Sequence, residues 1–337
     1  MLTTDSNKIV KFITNNHNIG SSRGFKELQQ LFNHLKSIDN SHDKIVSPIK
    51  NLPNLQSPFI SHELSIKANS LKNNHYTILT VHDSKIHVNI FYDTLNINKF
   101  TQIILPVISF VSHLIKKVDG DYRINYYLLD DKKLLDSDIK DGLKHKHLNS
   151  GSSGMNTINI WRKEEVIKVT IHELFHLFDC DGHRSDSPEI IQLYQKRYNI
   201  TSQKINSFEA YTEIWANIIN CFFLSGGDYK SFVQNLSIEK AWCQFQSQKI
   251  LSINKISDIN RHTNTLAYFV IRAEIYNNFK KFIQLFGLKI CCDNKLYFTF
   301  LIGNKVIKKN DELIKKMNKK SIIYRSLRMS GLEYRII

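Results

Sequence analysis

A helical stretch with two histidines one turn apart constrains this chain more than any other feature of its sequence. Residues 163–180 contain neither proline nor glycine, and apolar side chains recur through them at helical spacing. Inside this stretch stands the run His172-Glu173-Leu174-Phe175-His176. Because residues four apart lie one above the other on a helix, His172 and His176 present two imidazole rings from one face. The spacing therefore predicts two nitrogen ligands for one metal ion.

Glu173 adds an acid–base group beside this pair. Zinc binds imidazole nitrogens at about 2.0–2.1 Å, and catalytic zinc sites keep one position for water. Glu173 is adjacent to His172 and reaches that water from the side without occupying a ligand position. We therefore predict Zn²⁺ as the cofactor and Glu173 as the general base. The run Ser61–Ser65 begins similarly, with His62 and Glu63, but it lacks a second histidine and is not a site.

Zinc needs a third protein ligand, and the residues directly after the motif do not supply an obvious one. The long HExxHxxGxxH pattern fails, since Asp179 stands three residues after His176 and His183 stands seven after it. The cluster from Asp179 to His183 stays an alternative, because Gly182 permits a sharp turn there.

The preferred third ligand lies on a second predicted helix, residues 207–224. Glu209 and Glu213 share a narrow stripe on this helix with Ala216, Asn217 and Asn220. Such a stripe could be the wet face of a surface helix, but its small and amide side chains favour close helix packing. Buried carboxylates need a partner or a metal. We favour Glu209 as the ligand and keep Glu213 as the alternative.

These two segments resemble the zincin metallopeptidases, and within them the gluzincins such as the thermolysin-like enzymes. The gluzincin pattern is HExxH on one helix and Glu-x-x-x-Asp on the next, and Glu209-Ala210-Tyr211-Thr212-Glu213 differs only by Glu213 in place of Asp. The resemblance covers residues 76–225 and implies a zinc-dependent peptidase, a hydrolase acting on a peptide or protein substrate. It also implies an edge strand, residues 155–160, that pairs with the extended substrate. The run 263–268 is similar to segments in uncharacterised zincin-like proteins of large DNA viruses.

Peptide hydrolysis also requires a donor for the oxyanion of the transition state. His262, Tyr268 and Arg272 lie at or on a third predicted helix, residues 263–282. Among these, His262 and Tyr268 are our predicted catalytic residues in addition to Glu173.

The predicted fold class is α+β, with a zincin-like catalytic core and helical extensions at both ends. The core consists of a small mixed sheet with an edge strand, the HExxH helix and the second ligand helix. Alternating patterns predict a hairpin from strands 77–81 and 86–92, then a helix at 98–117 and a strand at 122–129. We predict three segments: a helical and irregular N-terminal extension (1–75), a metallopeptidase domain (76–285) and a basic C-terminal segment (286–337).

Two functions other than peptidase activity stay open. The chain has 46 Lys and Arg against 31 Asp and Glu, a net charge of +15, which favours polyanions by long-range attraction. A basic nucleic-acid-associated protein is therefore one alternative function. The other is a catalytically inactive zincin-like protein with a structural or binding role.

Apolar patterning and cysteine usage indicate location. The longest nearly apolar run, residues 103–115, is too short to cross a membrane and is interrupted by Pro106 and His113. The first 20 residues do not read as a secretory signal. The five cysteines show no CxxC spacing, so reduced thiols are expected. We predict no membrane partner and an intracellular location, cytoplasmic or inside a virion if the protein is viral.

Overall fold

The computed structural model describes residues 1–17, 19, 24–46, 54–55, 57–115, 120–136, 142–182, 185–253 and 259–336. The chain divides into two compact units, each discontinuous in sequence. The sheet unit comprises Ser37–Lys132, Asn149–Cys180 and Arg335–Ile337. The helical unit comprises Met1–Lys36, Lys133–Leu148 and Asp181–Tyr334. The three-segment division drawn from the sequence stays a prediction.

A mixed six-stranded sheet forms the centre of the sheet unit, with strand order β1-β2-β3-β4-β6-β5. The β3/β4 and β4/β6 pairs are parallel, and the other three pairs are antiparallel. The prediction of an α+β chain with a mixed sheet is confirmed. The strands are β1 (Asp43–Val46), β2 (Asn73–Val81), β3 (Ser84–Tyr92), β4 (Asp121–Leu129), β5 (Gly151–Gly154) and β6 (Thr157–Arg162).

The parallel strands are held in register by a row of amides. Asn89 on β3 donates to Asn125 on β4 at 2.7 Å, and Asn125 donates to Asn159 on β6 at 2.9 Å. The three residues are direct neighbours in the strand pairing. Since a buried amide is costly without partners, a shift of one residue would break this row.

Helices cover both faces of this sheet. Helices α4 (Ile97–Ile115) and α6 (Val166–Leu177) pack on one face, where Phe100 and Thr170 contact the Tyr126 side chain. The next residue on β4, Tyr127, points to the opposite face, because successive strand residues alternate. There it joins a core cluster with α3 (His62–Asn69), formed by Leu55, Leu64, Ala68, Phe91, Tyr127, Leu129 and Trp161.

The helical unit is built around α8 (Ser207–Leu224), whose bounds match the predicted helix. This helix packs against α9 (Tyr229–Ile253) and against a π-helical segment, Leu266–Ile271, which continues into α10 (Arg272–Asn277). The remaining α-helices described in this unit are α1 (Thr4–Asn16), α2 (Lys26–Lys36), α5 (His145–Leu148), α7 (Pro188–Tyr198), α9 (Tyr229–Ile253), α10 (Arg272–Asn277), α11 (Phe279–Phe286), α12 (Asn294–Ile302), α13 (Glu312–Lys316) and α14 (Ile322–Arg325).

Two expectations from the sequence are wrong. The predicted edge strand, 155–160, is not an edge: β6 lies between β4 and β5, and the edge on that side of the sheet is β5, for which no strand was predicted. Glycine and serine in Gly151–Gly154 hid its strand character. Reduced thiols were expected throughout, yet Cys180 and Cys291 are disulfide-bonded while Cys221, Cys243 and Cys292 are free.

Helix α4 has the length and apolar composition of a membrane span, which the sequence interpretation did not expect. However, 56% of its apolar window lies buried inside the fold, as in the core helix of a soluble protein. The predicted location stays a prediction.

The basic C-terminal segment is partly integrated into the helical unit. Most of its lysines are exposed, but residues 326–332 are buried. The backbone carbonyls of Ser326 and Arg328 accept hydrogen bonds from Trp242 and Gln246 of α9. Lys249 of the same helix is fully buried and donates to the Ser326 carbonyl. Burial lowers the pKa of Lys249 to about 7.

Lys249 makes folding stability depend on pH in a predictable direction. Its pKa is 10.5 in the unfolded chain and about 7 in the folded chain, so between these values the unfolded chain binds one more proton. Stability contributed by this group is therefore greatest above pH 10.5 and is lost as the pH falls toward 7. We expect the free energy of unfolding to rise with pH between 7 and 9, by up to about 1.4 kcal/mol per pH unit. In Lys249→Met this rise in the free energy of unfolding should be smaller. Urea unfolding of both proteins at pH 7 and at pH 9 measures the rise. An equal rise in the wild type and in the variant would contradict the assignment.

Candidate metal centre

Helix α6 carries the histidine pair, and contacts with the sheet set its rotation. Ile171, Leu174 and Phe175 are fully buried on it. The Thr170 hydroxyl donates to the Val166 carbonyl at 2.8 Å, which leaves its oxygen to accept from the Tyr126 hydroxyl of β4 at 3.0 Å. The direction in which the histidines point is therefore fixed by packing on the sheet.

The two imidazoles converge as their spacing predicts. The Nε2 atoms of His172 and His176 are 3.0 Å apart, and the rings stand at 81° to each other. Both side chains are buried. Nitrogens at this separation can turn their lone pairs toward one ion.

Glu173 is buried beside the edge strand of the sheet. A methyl group added at Gly151 of β5 would stand 2.7 Å from Glu173 Oε1, so the carboxylate fills the space that a side chain would need there. A side chain at position 151 would therefore displace the Glu173 carboxylate.

Glu209 is the third member of the predicted ligand group, with His172 and His176, and it lies in the first turn of α8 in the helical unit. The Glu209 side chain is 9% exposed, which leaves the stripe predicted on α8 buried and not on a wet surface.

Glu213, the alternative ligand, forms an ion pair in the interior. Its Oε2 lies 2.8 Å from Nη1 of Arg272, and both side chains are buried. Arg272 also donates to Asn217 at 3.2 Å and to the Cys243 sulfur at 3.2 Å. The carboxylate of Glu213 therefore neutralises a buried guanidinium and lies outside the ligand group.

The predicted oxyanion donors lie close in sequence to Asn264, the residue that donates a hydrogen bond to Glu209. Asn264 donates from Nδ2 to Glu209 Oε1 at 3.0 Å. His262 precedes Asn264 by two residues and is half-buried, and its Nε2 has no hydrogen-bond partner among the residues placed in the structure. Tyr268 is buried one turn after Asn264. Arg272, the third candidate, forms an ion pair with Glu213. The roles of His262 and Tyr268 stay predictions.

The alternative ligand cluster after the motif gains no support. Asp179 is exposed, has a left-handed backbone with φ 51°, and is not part of the ligand group. His183 lies outside the described residues.

The sequence analysis did not identify three residues that support Glu173 or Glu209 through close contact or hydrogen bonds. Gly151, Asn206 and Asn264 are neither ligands nor acid–base groups, and the sequence analysis assigned none of them a role at the site. The sequence does contain one signal, the two glycines that bound Gly151–Gly154, since glycine inside a strand often indicates close approach of another group.

No family model, curated protein or solved structure matches this chain. Its function must therefore be inferred from the motif and the geometry of the site.

The two glutamates of α8 should differ sharply in their contribution to folding. Glu213→Ala leaves the buried charge of Arg272 uncompensated, so we expect a loss of about 3–5 kcal/mol in the free energy of unfolding. Glu209→Ala removes a carboxylate whose partner Asn264 is neutral, and should cost clearly less. Urea denaturation in the presence of a chelator compares the two. Equal losses would show that Glu213 has no special structural role.

Proposed function

We propose that this protein is a zinc-dependent peptidase. The observation that carries the proposal is the convergence of His172 and His176 on α6, whose Nε2 atoms are 3.0 Å apart. Glu209 on α8 is the proposed third ligand. Two imidazoles and one carboxylate are a donor set that suits catalytic zinc, which keeps a fourth position open. When bound, zinc supplies Lewis acidity and lowers the pKa of a water in that position.

Glu173 has the chemistry of the general base in this proposal. It follows His172 directly on α6, but it is not a member of the ligand group. A carboxylate accepts a proton from the attacking water and passes it to the leaving amine. The position beside Gly151 restricts the directions in which this carboxylate can move.

The substrate in this proposal is an extended peptide or protein segment aligned along β5. This strand is the edge of the sheet next to β6, and α6 packs against it. Edge strands recruit extended peptides through main-chain hydrogen bonds. His262 and Tyr268 remain the candidate donors to the oxyanion.

Metal content and an isosteric variant of Glu173 test the proposal together. Protein purified without added metal should contain about one zinc per chain, and so should Glu173→Gln. Hydrolysis of a peptide library by Glu173→Gln should fall by about 10²- to 10⁴-fold, because the base is lost while the ligands stay. His172→Ala and Glu209→Gln should lose the metal, whereas Glu213→Gln, checked for folding by circular dichroism, should keep it.

Each unfavourable outcome has a distinct meaning. A wild-type protein that takes up no zinc from a zinc buffer would refute the metal centre. Zinc at full occupancy without hydrolysis of any peptide would favour the structural or binding role. Undiminished hydrolysis by zinc-loaded Glu173→Gln would remove Glu173 as the base.

The space at Gly151 gives a second test. In Gly151→Ala the new methyl group would meet the Glu173 carboxylate at 2.7 Å, so the base must shift while the zinc ligands remain. We expect normal zinc content and a large loss of hydrolysis. Gly154→Ala is the matched control on the same strand, since a methyl group there meets nothing within 4 Å and leaves the backbone hydrogen-bonding groups in place. Similar activity in both variants would contradict the proposed position of the base.

A further inference from the structure

We infer that Asn264, supported by Asn206, is a positioning residue that orients Glu209 for metal binding. This inference rests on the proposed zinc centre. It assigns the two asparagines a role in metal affinity, although neither lies among the ligands.

The chemistry of the side chains determines which atom donates in two hydrogen bonds, from Asn264 to Glu209 and from Asn206 to Asn264. The Glu209 carboxylate can only accept, so the nitrogen of the Asn264 carboxamide must face it, and Nδ2 lies 3.0 Å from Oε1. The Asn264 oxygen then points away and needs a donor. Asn206 Nδ2 supplies that donor at 2.6 Å. A hydrogen bond to Oε1 restricts the rotation of the Glu209 carboxylate and therefore the directions available to Oε2.

Asn206 is available for this role because another residue caps its helix. Asparagine directly before a helix usually caps it with its side chain, but Asn206 forms no such bond. Instead, the Ser207 backbone N–H donates to both carboxylate oxygens of Asp186, at 3.2 and 3.1 Å. Asn206 has a left-handed backbone with φ 55°, a conformation that asparagine adopts more readily than most residues. The Asp186 cap therefore leaves the Asn206 carboxamide to Asn264.

The π-helical segment directs Asn264 and Arg272 toward the same side, where they meet the two glutamates of α8. Asn264 bonds Glu209, and Arg272, eight residues later, pairs with Glu213. In a regular α-helix, residues eight apart differ by about 80° in direction. One extra residue in a π-turn makes them equivalent to seven apart, which reduces the difference to about 20°. Leu266–Ile271 thus lets one helix contact both glutamates of α8.

Zinc affinity separates positioning from a merely structural contact. Zinc dissociation constants, measured by competition with a chromophoric chelator, should rise about 10- to 100-fold in Asn264→Ala, as for other partners of metal ligands. Asn278→Ala is the matched control, since it removes a comparable Asn–Asn hydrogen bond, to Asn304 at 2.8 Å, that does not involve a ligand. The control should keep the wild-type dissociation constant at a similar cost in stability.

A second variant tests whether Asn206 acts through Asn264. Asn206→Gly removes the carboxamide and retains the left-handed backbone, so it should fold even if Asn264→Ala does not. As a single variant, Asn206→Gly should weaken zinc binding. Combined with Asn264→Ala, it should cause no further loss of affinity. Wild-type affinity in both single variants, or the same loss in Asn278→Ala, would overturn the inference. A wild-type chain that binds no zinc would refute the proposed function itself, which is a different result.

Discussion

The helical unit depends on the burial of two carboxylates one turn apart on a single helix. Helix α8 is buried along most of its length, and both Glu209 and Glu213 lie within it. A buried carboxylate is costly unless it is paired and hydrogen-bonded. Glu213 is neutralised by Arg272, and Glu209 receives Asn264 on one oxygen. The segment that supplies both partners is thereby fixed in position and in rotation against α8.

The same rule accounts for other buried acids in this unit. Glu239 accepts from the Ser330 hydroxyl and from the backbone N–H groups of Gly331 and Leu332, which ties the C-terminal segment to α9. Glu274 accepts from Tyr194 and Tyr198, and burial raises its pKa to about 7. These carboxylates are surrounded by protein donors and join segments of the fold. Glu209 differs from them because it is the carboxylate that we propose as a zinc ligand.

Local patterns predicted the elements that carry the ligands, because helical periodicity is strong over residues 163–178 and 207–224. They also predicted the hairpin β2–β3 and the α+β class. They did not predict β5, since Gly151–Gly154 contains only glycine and serine and therefore shows no alternation of apolar and polar side chains. They favoured Glu209 as the ligand but kept Glu213 as an alternative, since the two glutamates share one helical face. That difference depends on Asn264 and Arg272, more than 50 residues away, and only tertiary packing reveals which glutamate meets which partner.

The placement of Glu173 favours a catalytic over a purely structural centre. A centre that only joined helices would have no use for a carboxylate beside His172, nor for the missing side chain at Gly151 that makes room for it. Gly151 lies on the edge strand β5, whose backbone is the proposed docking edge for a peptide. One strand would then set the position of both the base and the substrate, so that a peptide aligned on β5 meets Glu173 at a fixed distance along its chain.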